Sequence, residues 1–226
     1  MGEPKMNKTY VINKDESISK QNVMNAVMKR GVDILGAIIG FIIFSPFFIL
    51  IPILYGFGDG RGPVFFKQKR IGRNGKVFYI YKFRSMVINA DKKLKEDKKL
   101  YTKYIENNYK LEPHEDPRIT GIGKFLRKTS LDELPQFINV IKGEMSLVGP
   151  RPVVEEELLE YGEKKEKFLS AKPGVTGYWQ VSGRSDIGYP ERVDIELYYV
   201  DNQSILLDLK ILVLTAIQVV MRKGAY

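Results

Sequence analysis

Asp132 and Glu133 stand side by side in the stretch RKTSLDELPQF, residues 127–137, of a 226-residue chain with a net charge of +9. Adjacent carboxylates can act as nucleophile, general base or metal ligand. Few other groups compete for such a role. The chain has no cysteine and one histidine, His114, which excludes disulfides, thiol catalysis, Cys-ligated zinc and a His-rich metal site. An acid, base or nucleophile here is therefore expected to be Asp or Glu. With 36 Lys+Arg against 27 Asp+Glu, the expected partners are anionic: phosphates, nucleic acid or an acidic membrane surface.

The local pattern also permits a plainer role. Ser130-x-x-Glu133 is a legal helix-capping box, with Asp132 complementing the helix dipole. Against it, Pro135 would then be the fifth helical residue, its ring against the Leu131 carbonyl. Pro135 fits better in the first turn of a helix starting near Leu134, which leaves the acidic pair beside free amides that suit a phosphate. Arg118, Lys124, Arg127 and Lys128 precede the pair, and Pro150-Arg151-Pro152 follows it. Two prolines would give the Arg151 guanidinium a fixed direction toward a phosphate or carboxylate. So many cations predict a lowered Asp132 pKa and an ionised nucleophile. A divalent ion held by the two carboxylates and a diphosphate would make attack on phosphorus feasible.

The elements that must position these groups begin with an apolar run. No charge occurs from Ile34 to Gly58. A straight helix of that length reaches roughly 37 Å, enough for a hydrocarbon core of about 30 Å. The alternative is a buried core helix, hard to accommodate in a domain this small. Ser45-Pro46 near the middle predicts a break or kink, with the Ser45 hydroxyl taking up a freed carbonyl. Both flanks are basic: Lys29 and Arg30 before the run, Arg61, Lys67, Lys69 and Arg70 after it. The positive-inside rule then favours a re-entrant helix that dips into one leaflet over a kinked span. Residues 1–24 read as a disordered polar leader, 25–60 as the membrane helix and 61–226 as a cytosolic domain. The C-terminal stretch from Ser204, interrupted by Asp208, Lys210 and Gln218, suits a helix in the membrane interface or packed on the domain.

Asn74-Gly75 between β-rich runs predicts a hairpin that brings Lys82 and Arg84 near the membrane. Residues 90–111 read as a solvated helix or an insertion without catalytic duty, Pro135–Ile141 as a short helix stopped by Gly143, and Val153–Phe168 as a charged helix. An irregular loop over AKPGVTGYWQVSGRSD and an amphipathic helix around Ile187–Asn202 follow. The fold class is α+β, mostly α. Tyr178 and Trp179 read either as a stacking surface for a base or sugar or as structural aromatics. His114 reads as a solvated turn residue, and Asp186, Asp194 and Glu196 as exposed charges or as partners orienting Arg184 or Arg192.

The set KRGVDI, an apolar run broken at Ser-Pro, YKFRSM, RKTSLDELPQ, MSLVGPRP and KPGVTGYWQVSGRSD resembles the bacterial monotopic phosphoglycosyl transferases. Within them it is similar to the branch that starts exopolysaccharide or capsule synthesis, over about residues 25–226. The resemblance implies transfer of a hexose-1-phosphate from a UDP-hexose to polyprenyl (undecaprenyl) phosphate, with release of UMP. It matches Asp132 to a nucleophile forming an aspartyl-phosphosugar, Glu133 to its partner, and Mg²⁺ to the metal, with both carboxylates as candidate ligands. Arg127, Pro150, Arg151, Pro152, Lys82 and Arg84 fall on positions expected to meet phosphates, nucleotide or lipid phosphate. Lys29, Arg30 and Asp33 match the motif at the membrane surface, and Ser45 and Pro46 the re-entrant break. The implied place is the cytoplasmic face of the bacterial inner membrane, in contact with lipid of one leaflet. Larger members of the branch carry an N-terminal domain of several membrane helices, which these residues do not include. Direct transfer in a ternary complex is the competing mechanism. A basic membrane adaptor is the competing class, but the cations gather by the apolar run and acidic pair, so no nucleic-acid partner is expected. The hexose (glucose or galactose favoured), the polyprenol length, the downstream polymer and the oligomeric state are not read from the sequence.

Overall fold

The computed structural model describes residues 20–56, 61–107, 109, 111–112, 114–183 and 187–221, with side chains from residue 24. Most of the leader, Gly58, Arg184, Asp186 and Arg222 therefore lie outside the described residues. Helix α1 runs from Lys20 to Leu54, reaching back into the stretch read as leader. It passes through Pro46 and Pro52 without the two separate halves expected from Ser45-Pro46. Pro46 has no N–H for the Ile42 carbonyl four residues back, and the Ser45 hydroxyl donates to that carbonyl instead, at 2.9 Å. The substitute bond lets the helix continue.

One stripe of α1 packs on the rest of the chain. Asp33, Ala37, Ile51 and Tyr55 are buried along it. Gly36 and Gly40 admit the Leu147 side chain and the Phe137 ring, which come within 2.5 Å and 2.7 Å of where a Cβ would stand. The other face exposes Ile38, Ile42, Ile43, Ile49 and Ile53. By length and composition α1 is able to cross a membrane.

Both ends of α1 hold the same folded body. Near the start, Lys29 donates to Asp208 at 2.5 Å, to the Val148 carbonyl at 3.1 Å and to the Tyr199 hydroxyl at 3.2 Å. Arg30 caps two carbonyls, of Val140 and Ile141, at 2.6 and 2.8 Å. Asp33 accepts from the Ser146 hydroxyl and the Leu147 amide at 2.8 and 2.9 Å. Toward the far end, Ile51 and Tyr55 share a core with Phe83, Leu126, Leu131 and Leu134. The Tyr55 hydroxyl donates to the Arg84 carbonyl.

Strands β1 (Phe65–Ile71) and β2 (Val77–Phe83) form the expected antiparallel hairpin, with Phe66 opposite Lys82 and Gln68 opposite Ile80. Asn74 and Gly75 turn it with φ of 57° and 74°. Two short helices, α2 (Ala90–Glu96) and α3 (Lys98–Glu106), occupy the segment read as a solvated helix or insertion. Helix α4 (Gly121–Lys128) is capped by Thr120, which accepts from the Gly123 amide at 3.0 Å. Helix α5 (Gln136–Lys142) ends at Gly143 in the left-handed region, φ 82°, as its sequence required.

Two stretches depart from the sequence reading. Val153–Phe168 is not one helix: a 3-10 segment, Glu157–Lys164, is interrupted at Gly162 (φ 47°, ψ −127°) before α6 (Lys165–Ser170). The glycine adopts a backbone that no helix contains. The supposed irregular loop holds β4 (Gly174–Thr176), parallel to β3 (Ser146–Val148), and then α7 (Tyr178–Ser182). Helix α8 (Glu191–Asp201) stands where the amphipathic helix was expected, and α9 (Ile205–Met221) follows it. Helix α9 buries Asp208 and Ile211 while Leu206, Val213, Ile217 and Val220 face outward.

Candidate active site

The acidic pair occupies a single 3-10 turn, Leu131–Glu133, between α4 and α5. Leu131 and Leu134 drop into the core on either side and fix the turn. The capping box is not formed: Ser130 is itself left-handed, φ 56°, and its side chain caps nothing. Four of the amides at this turn are already engaged by the main chain. Those of Glu133, Leu134, Phe137 and Ile138 donate to Ser130, Leu131, Leu134 and Pro135 at 3.0–3.3 Å.

Asp132 is 7% exposed. Burial pushes its carboxyl up from 3.8 to about 6, against the pull of Lys82 and Arg127, with Glu133 adding to the rise. The lowered value expected from the cations is thus corrected. Desolvation outweighs them, although Lys82, the strongest opposing cation, is close by: its Nζ donates to Glu133 Oε1 at 2.7 Å. Lys82 reaches Glu133 from β2. Asn139 ties that strand to α5, accepting from the Tyr81 amide at 3.0 Å and donating to the Tyr79 carbonyl at 2.7 Å. Arg127 comes from α4 and donates to the Ser85 hydroxyl at 3.1 Å. A Cβ on Gly123 would collide with the Ser85 carbonyl, so α4 lies directly on that segment.

Other predicted site residues are placed differently. Arg84 spends its guanidinium on the carbonyls of Pro63, Met86 and Arg61, at 2.7, 3.1 and 3.2 Å, and stacks on Tyr55. It lashes the chain after α1 to the end of β2. Arg118 forms a two-pronged pair with Asp116, both at 2.7 Å. Lys29, Arg30 and Asp33 make the internal bonds described above. Lys124 and Lys128 are exposed on α4, and His114 is an exposed turn residue.

The Pro150-Arg151-Pro152 turn is held at every point. The Pro150 carbonyl accepts from the Gly174 amide at 2.8 Å, the Arg151 amide donates to Glu196 at 3.1 Å, and Pro152 accepts from Arg70 at 3.2 Å. Gly149, Gly174 and Gly177 meet backbone to backbone, and a Cβ on any of them would collide with a neighbouring main chain. Under the turn lies a buried charge network in which the sequence reading had offered Glu196 as a partner of Arg192 but had not foreseen Glu157, Arg70 or Tyr161. Glu196, 1% exposed, also accepts from the Tyr161 hydroxyl and pairs with Arg192. Glu157 pairs with Arg70 and Arg192, both at 3.4 Å. Arg192 stacks on Trp179, whose indole donates to the Ile187 carbonyl at 3.0 Å; the Trp is a buried structural anchor. The pairing of Glu196 with Arg192 was one of the two readings its sequence allowed.

No cluster of three or more His, Cys, Asp or Glu suited to a metal ion occurs among the described residues. Magnesium needs no such cage: one or two carboxylates together with substrate phosphates and water suffice. Asp132 and Glu133 fit that donor set, with one Glu133 oxygen already engaged by Lys82.

Residues 24–222 match the family model described as bacterial sugar transferase. The chain is similar to the exopolysaccharide production protein ExoY of Sinorhizobium fredii, 46% identical over 204 residues that cover 90% of each chain. It is similar to the undecaprenyl-phosphate galactose phosphotransferase of Salmonella typhimurium, 48% identical over 88% of this chain and 42% of that one. It is also similar to the UDP-glucose:undecaprenyl-phosphate glucose-1-phosphate transferase of Escherichia coli, 38% identical over 90% of this chain. The match again spans 42% of the longer protein, so the chain covers less than half the length of these two relatives. With the family model covering nearly all the described residues, the chain belongs to the bacterial sugar transferase family.

Proposed function

We propose that this protein transfers hexose-1-phosphate from a UDP-hexose to polyprenyl phosphate, releasing UMP, as the opening step of exopolysaccharide or capsule synthesis. The observation that carries this reading is the turn at Leu131–Glu133. There a buried aspartate with a raised pKa stands beside a glutamate held by lysine, in a chain whose relatives are named for that transfer. An Asp132 oxygen attacks the β-phosphorus, and the bond from that phosphorus to the bridging oxygen breaks, so UMP leaves with the bridging oxygen. A phosphate oxygen of the polyprenyl acceptor then attacks the same phosphorus and the aspartate carboxylate leaves. With a pKa about 6, Asp132 is mostly ionised at neutral pH yet more basic than an ordinary carboxylate, which suits a nucleophile. Lys82, Arg127 and Arg151 supply cations toward the transferring phosphates. Mg²⁺, held by Asp132, Glu133 and the diphosphate, would neutralise phosphate charge when bound.

Helix α1 sits in one leaflet in this reading. Lys29 and Tyr55 both bond to the folded domain, although about 39 Å of helix separates them. A straight crossing would carry one of those ends away from the domain. Immersion without crossing leaves both basic flanks on the cytoplasmic side and presents a lipid-borne phosphate at the height of the site.

The test is purified full-length protein with Mg²⁺, undecaprenyl phosphate and a panel of UDP-sugars, reading UMP release. Labelled phosphosugar trapped on Asp132 without acceptor supports the covalent route. The raised Asp132 value would equally suit a general base in one-step transfer, and UMP release that strictly needs the acceptor would favour that route. Normal turnover by Asp132→Asn would exclude both.

A further inference from the structure

A cavity of about 320 Å³ lies beside β1, closed by α2 and α3. Its walls include Tyr101, Tyr104 and Tyr109, with Leu94 and Ile105, and Lys67, Lys69 and Lys95 stand around it. The segment that builds it, Ala90–Glu106, had no assignable role in the sequence. Its volume falls at the small end of ligand sites, about 300–1,000 Å³. That is room for a nucleoside and too little for a prenyl chain.

The strand pattern connects this cavity to the reacting groups. The Arg84 amide donates to Val64, while the Ile71 amide donates outward to Val153. By the alternation of an antiparallel pair, the backbone N–H and C=O of Lys67 and Lys69 also point away from β2, toward the cavity. An outward strand edge of this kind offers a donor and an acceptor together, the complement of the imide edge of a uracil. Gln68 lines the same cavity. It shares a sheet face with Lys82, on the diagonal cross-strand position about 7–8 Å away. Val154 and Glu155, also in the wall, follow directly on the Pro150-Arg151-Pro152 turn. Glu157, Arg70, Arg151 and Arg118 act electrostatically on Tyr104, Arg118 acts in turn on Arg127, and Arg127 acts on Asp132. A succession of charged groups thus links the cavity electrostatically to the acidic pair.

We infer that the nucleoside half of the donor docks in this cavity, its uracil against Tyr101 and Tyr104 and the free edge of β1, with its diphosphate running toward Lys82 and Asp132. The assignment rests on the donor being a UDP-hexose, as proposed above. It gives the α2–α3 insertion the task of closing the donor site.

Photo-crosslinking of full-length protein in lipid nanodiscs with 4-thiouridine 5′-monophosphate tests it, alongside a binding titration with UMP. The label is expected on the peptides carrying Phe65–Ile71 or Lys98–Glu106. Ile105→Trp, which fills the cavity from a half-exposed position, and Tyr104→Leu, which removes a ring, should each weaken UMP binding at least tenfold. The KM for polyprenyl phosphate should stay unchanged, and thermal melts confirm that the variants fold. Crosslinking confined to another segment, or native UMP affinity in a folded Ile105→Trp, overturns the assignment while UDP-hexose turnover stands. Loss of UMP binding and of all UDP-sugar turnover in the native protein would instead remove the functional reading and this inference with it.

Discussion

Lys82 Nζ lies 2.7 Å from Glu133 Oε1, so the lysine nearest the acidic pair neutralises the neighbour of Asp132 and acts on Asp132 only through space. The same cation nevertheless ranks first among the groups that hold the Asp132 value down. Lys82→Ala should therefore raise that value above about 6 and move the acid limb of the rate profile to higher pH. Turnover at pH 7.5 should fall roughly 10²–10³-fold, as for loss of one charge-stabilising donor. An acid limb that stays put would show that Asp132 does not set it.

Asp132 also makes a claim about stability. Its folded value, about 6, stands above the ordinary 3.8, so the stabilisation from its protonated form is complete below pH about 4 and lost as pH rises through 6. At neutral pH the buried charge costs up to about 3 kcal/mol. Asp132→Asn should abolish UMP release yet melt several degrees higher than the native protein at pH 7.5. The gain should shrink toward zero near pH 4. A variant that melts lower at both pH values would mean the burial argument is wrong.

Glu196 accepts the Arg151 amide hydrogen bond and also feels the Arg151 charge, which separates two substitutions. Glu196→Gln keeps an acceptor for that N–H; Glu196→Ala removes it and leaves Arg192 without its helical partner. The alanine variant should lose about 3–5 kcal/mol of stability, the usual result of breaking a buried pair. In a cold assay where it remains folded, its donor KM should rise far more than that of Glu196→Gln. Equal KM values for the two would deny Glu196 a positioning role.

What was legible in the sequence is what local chemistry decides. Asn74-Gly75 turned the hairpin and Gly143 stopped α5, because each needs a positive φ that few residues adopt cheaply. The acidic pair was found by type and neighbours. Its ionisation was misjudged, since the burial that desolvates it depends on how distant segments pack around the turn. The pairing of β3 with β4 was hidden for the same reason. Gly149 of one segment meets Gly174 and Gly177 of another there, and no local pattern announces the meeting. The resemblance matched Arg84 to a position expected to meet phosphates, nucleotide or lipid phosphate, and the fold adds three carbonyls around it that no local pattern announced.

That glycine contact is testable by a single methyl. At Gly174 a Cβ would run into the Gly149 amide and the Thr176 carbonyl, both main chain and unable to swing aside. Gly174→Ala should cost on the order of 1–3 kcal/mol or more through overpacking. It should also loosen the Gly174–Pro150 hydrogen bond that sets the Arg151 turn. Loss of donor binding in protein that is still folded, measured below its melting range, is the expected outcome. An unchanged melting temperature would show that the segments separate freely.

The placement of α1 makes the last prediction, and the absence of cysteine makes it clean to read. Val27 is exposed just before the Lys29–Asp208 pair, and Arg61 is exposed just beyond the far end of the helix. Single cysteines at these two positions should both react with a membrane-impermeant maleimide in inside-out vesicles, and neither in right-side-out ones. Ile42→Cys, on the outward apolar face, should stay unreactive until detergent is added. The reasoning is geometric: the bonds of Lys29 and of Tyr55 fasten the two ends to one body, and that body cannot lie on both sides of a bilayer. Labelling of Val27→Cys and Arg61→Cys from opposite sides would require those contacts to be broken in the membrane, and the one-leaflet reading would fall.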